Sequence, residues 1–290
     1  MIRFPITEKQ LTASILATDP NWFTKTAAVK KALPANPVSK EFKSLWGSIK
    51  QVYVDLQGGK CCFCEKPLEG KGEFDVEHFR PKADLRDWNI PPGLMDEGFV
   101  LTPLPPKKAG YKHLAYEPFN YAASCGTCNS SCKGNLFPIE GTRHLAAKNL
   151  ALMSAEKSLL IYPIGSLDDD PQQLIEYAFL SPRPVMSKGH GHRRALATIS
   201  IFGLDDPGKR DLFRLRATFY RSLCTELAAQ SQDKTAEQRA SRKRVIAAKT
   251  TFQAPFANCM QSLLRLHASD PVLVAKYADA CIAFIESKSK

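Results

Sequence analysis

Two pairs of cysteines constrain this chain more than anything else in it. Cys61 and Cys64 form one Cys-x-x-Cys knuckle, and Cys125 and Cys128 form another. That spacing lets two thiolates grip one tetrahedral ion, and two knuckles supply the four sulfurs of a structural zinc site. The fold must therefore bring together segments about 60 residues apart. Cys62 and Cys132 lie close enough to leave the ligand set open. Cys224, Cys259 and Cys281 sit in apolar, helix-like sequence and read as small core residues. Nine cysteines, an odd number, argue against a disulfide framework in a chain that shows no secretory signal. No apolar run approaches the roughly 18 residues of a membrane-spanning helix. The expectation is a soluble, cytoplasmic protein with no membrane contact.

Three zones follow from the pattern of residues. Residues 1–57 read as helical: Asp19-Pro20 precedes one helix, and Phe42, Leu45, Trp46, Ile49 and Val52 keep the 3.6 period of another. Residues 58–140 carry the knuckles, Gly-Gly, Pro-Pro and short alternating runs, with an inserted loop expected over 89–110. Residues 141–290 are again mostly helical. Asp206-Pro207 and Asp270-Pro271 each read as a cap with proline in the first turn. Leu212, Leu215, Phe219, Leu223 and Leu227 then trace an apolar stripe. Leu174 to Met186 fits a hairpin or a broken helix equally well.

Charge divides along the same zones. The net charge is +11, split as +5 over residues 1–60, −2 over 61–142 and +8 over 143–290. A basic surround about an acidic centre suits a protein that holds a polyanion on its flanks and keeps carboxylates in the middle for a metal ion. Arg210, Arg214 and Arg221 make a basic stripe for such contacts or for a partner subunit, although a solvated face explains it equally. His190-Gly191-His192 resembles a metal tract, but its basic neighbours favour a DNA-facing or solvated loop. His113 and His144 read as ordinary polar residues.

Between the knuckles lies Asp75-Val76-Glu77-His78-Phe79-Arg80-Pro81-Lys82, an alternating run that reads as a short strand. Adjacent strand residues face opposite ways, so Glu77 and His78 can share a site only if the strand ends there. Asn120 and Asn129 follow, then Lys133-Gly134-Asn135, readable as the start of a short helix. In order and spacing these residues resemble the HNH (ββα-metal) endonuclease family. The longer string is more particular: Cys-x-Phe-Cys-Glu (61–65), Glu-His-Phe-Arg-Pro-Lys (77–82), Leu-Ala-Tyr-Glu-x-x-Asn (114–120), Cys-x-x-Cys-Asn (125–129) and Lys-Gly-Asn-x-Phe-Pro (133–138). Together they resemble the HNH subunit of Septu-type anti-phage systems, also found with retrons, over residues 45–216.

That resemblance implies a mostly α fold holding a small ββα-metal core stapled by a four-cysteine zinc. It implies His78 as the general base, Glu77 and Asn129 as holders of one catalytic Mg²⁺ or Mn²⁺ ion, and Asn120 as the residue that orients the loop carrying His78. It implies Cys61, Cys64, Cys125 and Cys128 as zinc ligands and an ABC-type ATPase as partner. Thr127 departs from the pattern, because RNA-guided relatives carry an aspartate there; Asp75 or water would fill that place. Arg80, Lys82 and Lys133 lie near enough in sequence to contact phosphates. The chemistry is coherent, since sulfur takes zinc and oxygen takes magnesium. The expected activity is cleavage of DNA, with RNA or tRNA as the alternative substrate. A non-catalytic zinc module that binds nucleic acid or an adaptor is the competing class. A thiol oxidoreductase would need a thioredoxin-like βαβ setting, which the sequence lacks.

Overall fold

The computed structural model describes residues 1–35, 37–70, 72–148, 150, 153–208, 210–230 and 232–287. The amino-terminal zone is helical: α1 (Glu8–Thr18), α2 (Trp22–Ala32) and α3 (Lys50–Leu56). Thr7 and Gln10 bond each other's backbone N–H groups at the start of α1, a reciprocal cap that satisfies two otherwise unpaired donors. Trp22 is fully buried and donates its indole N–H to the Leu45 carbonyl at 2.9 Å, which ties α2 to the chain leading into α3.

Strand β1 (Phe74–His78) pairs antiparallel with β2 (Tyr121–Cys125), in register from Phe74 opposite Cys125 to His78 opposite Tyr121. The intervening residues 79–120 leave and return to that one ladder, and 89–110 are irregular apart from short 3₁₀ turns at Pro92–Glu97 and Pro106–Lys108. A π-helical segment, Thr127–Lys133, follows β2 directly. The helical turn expected to begin at Lys133 in fact ends there. Gly134 takes φ +47, a left-handed value that glycine adopts without steric cost, and its N–H closes on the Asn129 carbonyl at 2.7 Å.

Downstream, the one-turn α4 (Pro171–Leu174) leads into a hairpin of β3 (Ile175–Ala178) and β4 (Ser181–Pro184), which settles the Leu174–Met186 ambiguity. Then come α5 (Gly189–Phe202), α6 (Leu212–Gln230), α7 (Ala236–Ala248), α8 (Ala257–Ser269) and α9 (Pro271–Ser287). Asp270 caps α9 as expected, accepting from the Leu273 N–H at 2.9 Å. Asp206 does not start a helix. Its carboxylate accepts from the Gly208 N–H at 2.9 Å, a local turn, and α6 begins only at Leu212. The stripe on α6 is real at Leu212, Leu223 and Leu227, which are buried, and weaker at Leu215 and Phe219, which are half-buried. His190 and His192 lie in the first turn of α5 rather than in a loop.

The core runs through all three zones. Glu65, directly after the first knuckle, takes the Met1 ammonium at 2.7 Å and the Lys60 ammonium at 3.0 Å, all three fully buried or nearly so. Burial alone would raise the Glu65 carboxyl, but those two cations hold it down at about 2. Asn258 of α8 donates to the Met1 and Ile175 carbonyls at 2.8 and 2.7 Å, joining the carboxy-terminal helices to the same point. No described helix is long and apolar enough to cross a membrane.

Candidate functional site

The thiolates come together because β2 delivers Cys125 at its last position, opposite Phe74, while the first knuckle is pinned to the same strand. The Cys62 N–H donates to the Ala123 carbonyl at 3.0 Å, and the Gln57 amide at the end of α3 bonds both the N–H and the carbonyl of Ala123, at 2.8 and 2.9 Å. Gln57 is fully buried and so acts as a side-chain extension of the ladder. Sequence reasoning had no signal for it.

The ligand atoms of Cys61, Cys64, Cys125 and Cys128 all lie within 4.8 Å of one another, and all four residues are buried. Cys64 and Cys125 sulfurs are 3.8 Å apart. A tetrahedral ion with Zn–S of about 2.3 Å requires sulfurs about 3.8 Å apart, so this donor set fits zinc. Cys62 and Cys132 stand outside the set. Burial pushes the Cys62 thiol well up. Cys132 turns its sulfur to the Phe202 carbonyl at 3.8 Å. Arg210 lies against the cluster, its Nη2 3.4 Å from Cys128 Sγ and 3.8 Å from Cys125 Sγ. With an ion bound, a guanidinium there would offset the net negative charge of four thiolates around one divalent ion. Arg210 is thus committed to the cysteines, Arg214 is paired with Asp211, and Arg221 is exposed beside α9.

Beside the cluster, a cavity of about 260 Å³ is lined by Glu77, His78, Asn129, Asp75, Lys82 and Trp46. Strand β1 ends at His78, so Glu77 and His78 both reach it. Asn120 fixes the chain just beyond. Its amide donates to the Arg80 and Leu114 carbonyls at 3.0 and 3.1 Å, and its carbonyl accepts from the Arg80 N–H at 2.9 Å. His78 is packed edge-on against Trp46 and Tyr121, with ring centroids at 4.6 and 4.8 Å. Its Nε2 lies 3.1 Å from the Ala115 carbonyl. A carbonyl only accepts, so Nε2 carries the proton and Nδ1 keeps its lone pair in the neutral ring. Burial, with Lys82 and Lys133 nearby, drives the ring well below the usual histidine range.

Glu77 is 2% exposed and pairs with Lys133, Oε1 to Nζ 2.5 Å. Burial pushes its carboxyl up, against the pull of Lys133. Lys133 is fully buried and also reaches the His78 carbonyl at 3.0 Å. Arg80 is 6% exposed and pairs through Nε with Glu156 at 2.9 Å. Neither cation lines this cavity, whereas Lys82 does, with its ammonium 4.8 Å from the Trp46 ring. Among the described residues the four cysteines are the group of three or more His, Cys, Asp or Glu side chains placed to hold a metal. A second, harder ion would find Glu77 Oε2, the Asn129 amide and the Asp75 carboxylate around this cavity, oxygen donors of the type magnesium prefers.

The chain is 31% identical over 170 residues to the Septu protein PtuB of Bacillus mycoides, a match that covers 59% of this chain and spans about half the length of that protein. No family model matches the chain, and no solved structure matches it.

Proposed function

We propose that this chain is the zinc-stapled HNH endonuclease component of a Septu-type anti-phage defence system, cutting DNA with Mg²⁺ or Mn²⁺ beside an ABC-type ATPase. The observation that carries the reading is the cavity at the end of β1, where His78, Glu77 and Asn129 meet. Phosphodiester hydrolysis needs a base for water and positive charge on the phosphate. His78 holds its Nε2 proton on Ala115 and offers Nδ1 as that base. Glu77 and Asn129 would hold the divalent ion, which supplies charge for the phosphate and the leaving oxygen. Lys82, at the cavity wall, is the cation placed to meet the substrate. The succession of two strands and a helical turn over residues 74–133, with cysteines at both ends, agrees with a ββα-metal core. Similarity to the Septu protein PtuB supports the defence setting.

One feature favours a non-catalytic zinc module: Glu77 is already neutralised by Lys133 inside the protein. The two readings separate in one assay. Purified protein, with and without its ABC-type ATPase, is incubated with plasmid DNA and structured RNA under Mg²⁺ and under Mn²⁺. Metal-dependent cleavage that disappears in His78→Ala supports the nuclease. Absence of cleavage under every condition, or equal cleavage by the variant, removes it.

A further inference from the structure

A second cavity, of about 410 Å³, opens on the other side of the segment that leaves β1, with Phe79 and Arg80 in its wall. Its polar groups are unevenly satisfied. The acceptors are taken: Asp168 holds the Tyr162 N–H at 2.8 Å and Arg194 Nη2 at 2.5 Å, and Asp169 holds Arg194 Nη1 at 2.7 Å. Behind the wall, Glu156 accepts from Arg80 Nε, the Tyr111 hydroxyl and the His144 N–H. The donors are in excess. Among the described residues, Arg80 bonds through Nε alone of its guanidinium nitrogens, and Lys157, which is exposed, has no side-chain partner. Arg194, 4% exposed, keeps a buried Nε with nothing bonded to it. His190 gives Nδ1 to Glu140 at 2.9 Å and keeps Nε2.

Asp168 and Asp169 share Arg194, while Lys157, Arg80 and His190 keep N–H groups free for a ligand that brings hydrogen-bond acceptors. The backbone points the same way. Lys157 sits at φ +48, a left-handed value costly for a side chain of its type, held by Lys157 N–H to Ser154 carbonyl and Glu140 N–H to Lys157 carbonyl bonds of 3.2 and 3.1 Å. Helix α5 starts at Gly189 without a side-chain cap, and its second residue, His190, lines the cavity, so the positive end of the helix adds to the field. Phe79 and Tyr162, their rings 4.5 Å apart, give an apolar wall. The volume falls in the range of small-molecule sites.

We propose that this cavity binds a phosphate-bearing small molecule of nucleotide size, with Lys157, His190 and Arg80 as the groups that meet the phosphate. The assignment stands independently of the nuclease reading. The test is calorimetric titration and thermal melting of the full chain with inorganic phosphate, pyrophosphate, ATP and adenosine, in the wild type and in Lys157→Gly and Lys157→Glu. Glycine removes the cation while relieving the left-handed strain, so Lys157→Gly should melt no lower than wild type without ligand. ATP or pyrophosphate should raise the melting temperature of the wild type. Either variant should weaken binding about tenfold or more, the loss expected for one charge-assisted contact. No binding of phosphate, pyrophosphate or ATP overturns the proposal, as does equal affinity in all three proteins. Adenosine binding as tightly as ATP overturns the phosphate assignment.

Discussion

His78 and Arg80 lie two positions apart and have opposite fates, and the difference decides what their substitution should do. His78 is held by ring contacts and one carbonyl, none of which needs its basicity, so His78→Ala should keep zinc content and solubility while cleavage falls by about 10²–10⁴. Zinc measured by atomic emission and plasmid cleavage check this together; cleavage at the wild-type rate rejects the base assignment. Arg80 neutralises a buried carboxylate that three donors share. Arg80→Ala should therefore cost about 3–5 kcal/mol of stability, because it leaves Glu156 uncompensated. A urea melt reads that cost. A variant that melts like wild type and only binds DNA more weakly would restore Arg80 to the phosphate contacts. Sequence alone points to Arg80 and Lys133 as phosphate contacts and is silent on their partners, which are remote: Glu156 lies 76 residues from Arg80, and Glu77 lies 56 from Lys133. Spacing motifs carry no information about such pairings.

At the scale of elements, the knuckle spacing made the four-sulfur cluster legible, and alternation followed by Arg80-Pro81 marked the end of β1. What stayed hidden was tertiary. The β3–β4 hairpin hides in a segment too short for its period to be read, and the start of α6 is displaced because Asp206-Pro207-Gly208 closes a turn on itself. Arg210 looked like one tooth of a basic stripe until the end of α5 placed it on the thiolates. Cys61→Ser or Cys128→Ser should lose zinc and make the chain protease-sensitive, since structural zinc contributes roughly 10 kcal/mol or more to folding in small domains. Cys62→Ser and Cys132→Ser should keep zinc, their sulfurs being outside the cluster. Arg210→Ala should keep the metal but release it to a chelator about 10–100-fold more readily. Chelator competition followed by colour reads all five variants, and full zinc in Cys128→Ser would overturn the ligand set.

For the whole molecule, the +8 charge of residues 143–290 extends beyond Arg210, Arg214 and Arg221. Helix α7 buries no residue and presents Lys243 and Arg244 to solvent with no partner among the described residues. If nucleic acid is drawn in by the flanks, Lys243→Glu with Arg244→Glu should weaken duplex binding and reduce the slope of log K against log salt by about 1.8. Arg214→Glu should change it little, because Asp211 already neutralises that side chain. Equal slopes in wild type and the α7 variant would place the contacts elsewhere. The order of ligands along the chain has its own effect. Cys61 and Cys64 leave the ribosome before Glu77 and His78, while Cys125, Cys128 and Asn129 emerge only afterwards. At about 5–20 residues per second, the stretch from Cys64 to Cys128 takes roughly 3–13 s to synthesise. A nascent chain therefore carries Glu77 and His78 for seconds before the four cysteines can come together. If the four cysteines hold zinc, its supply to newly made protein would gate maturation, and a prematurely terminated chain would be left with half a cluster.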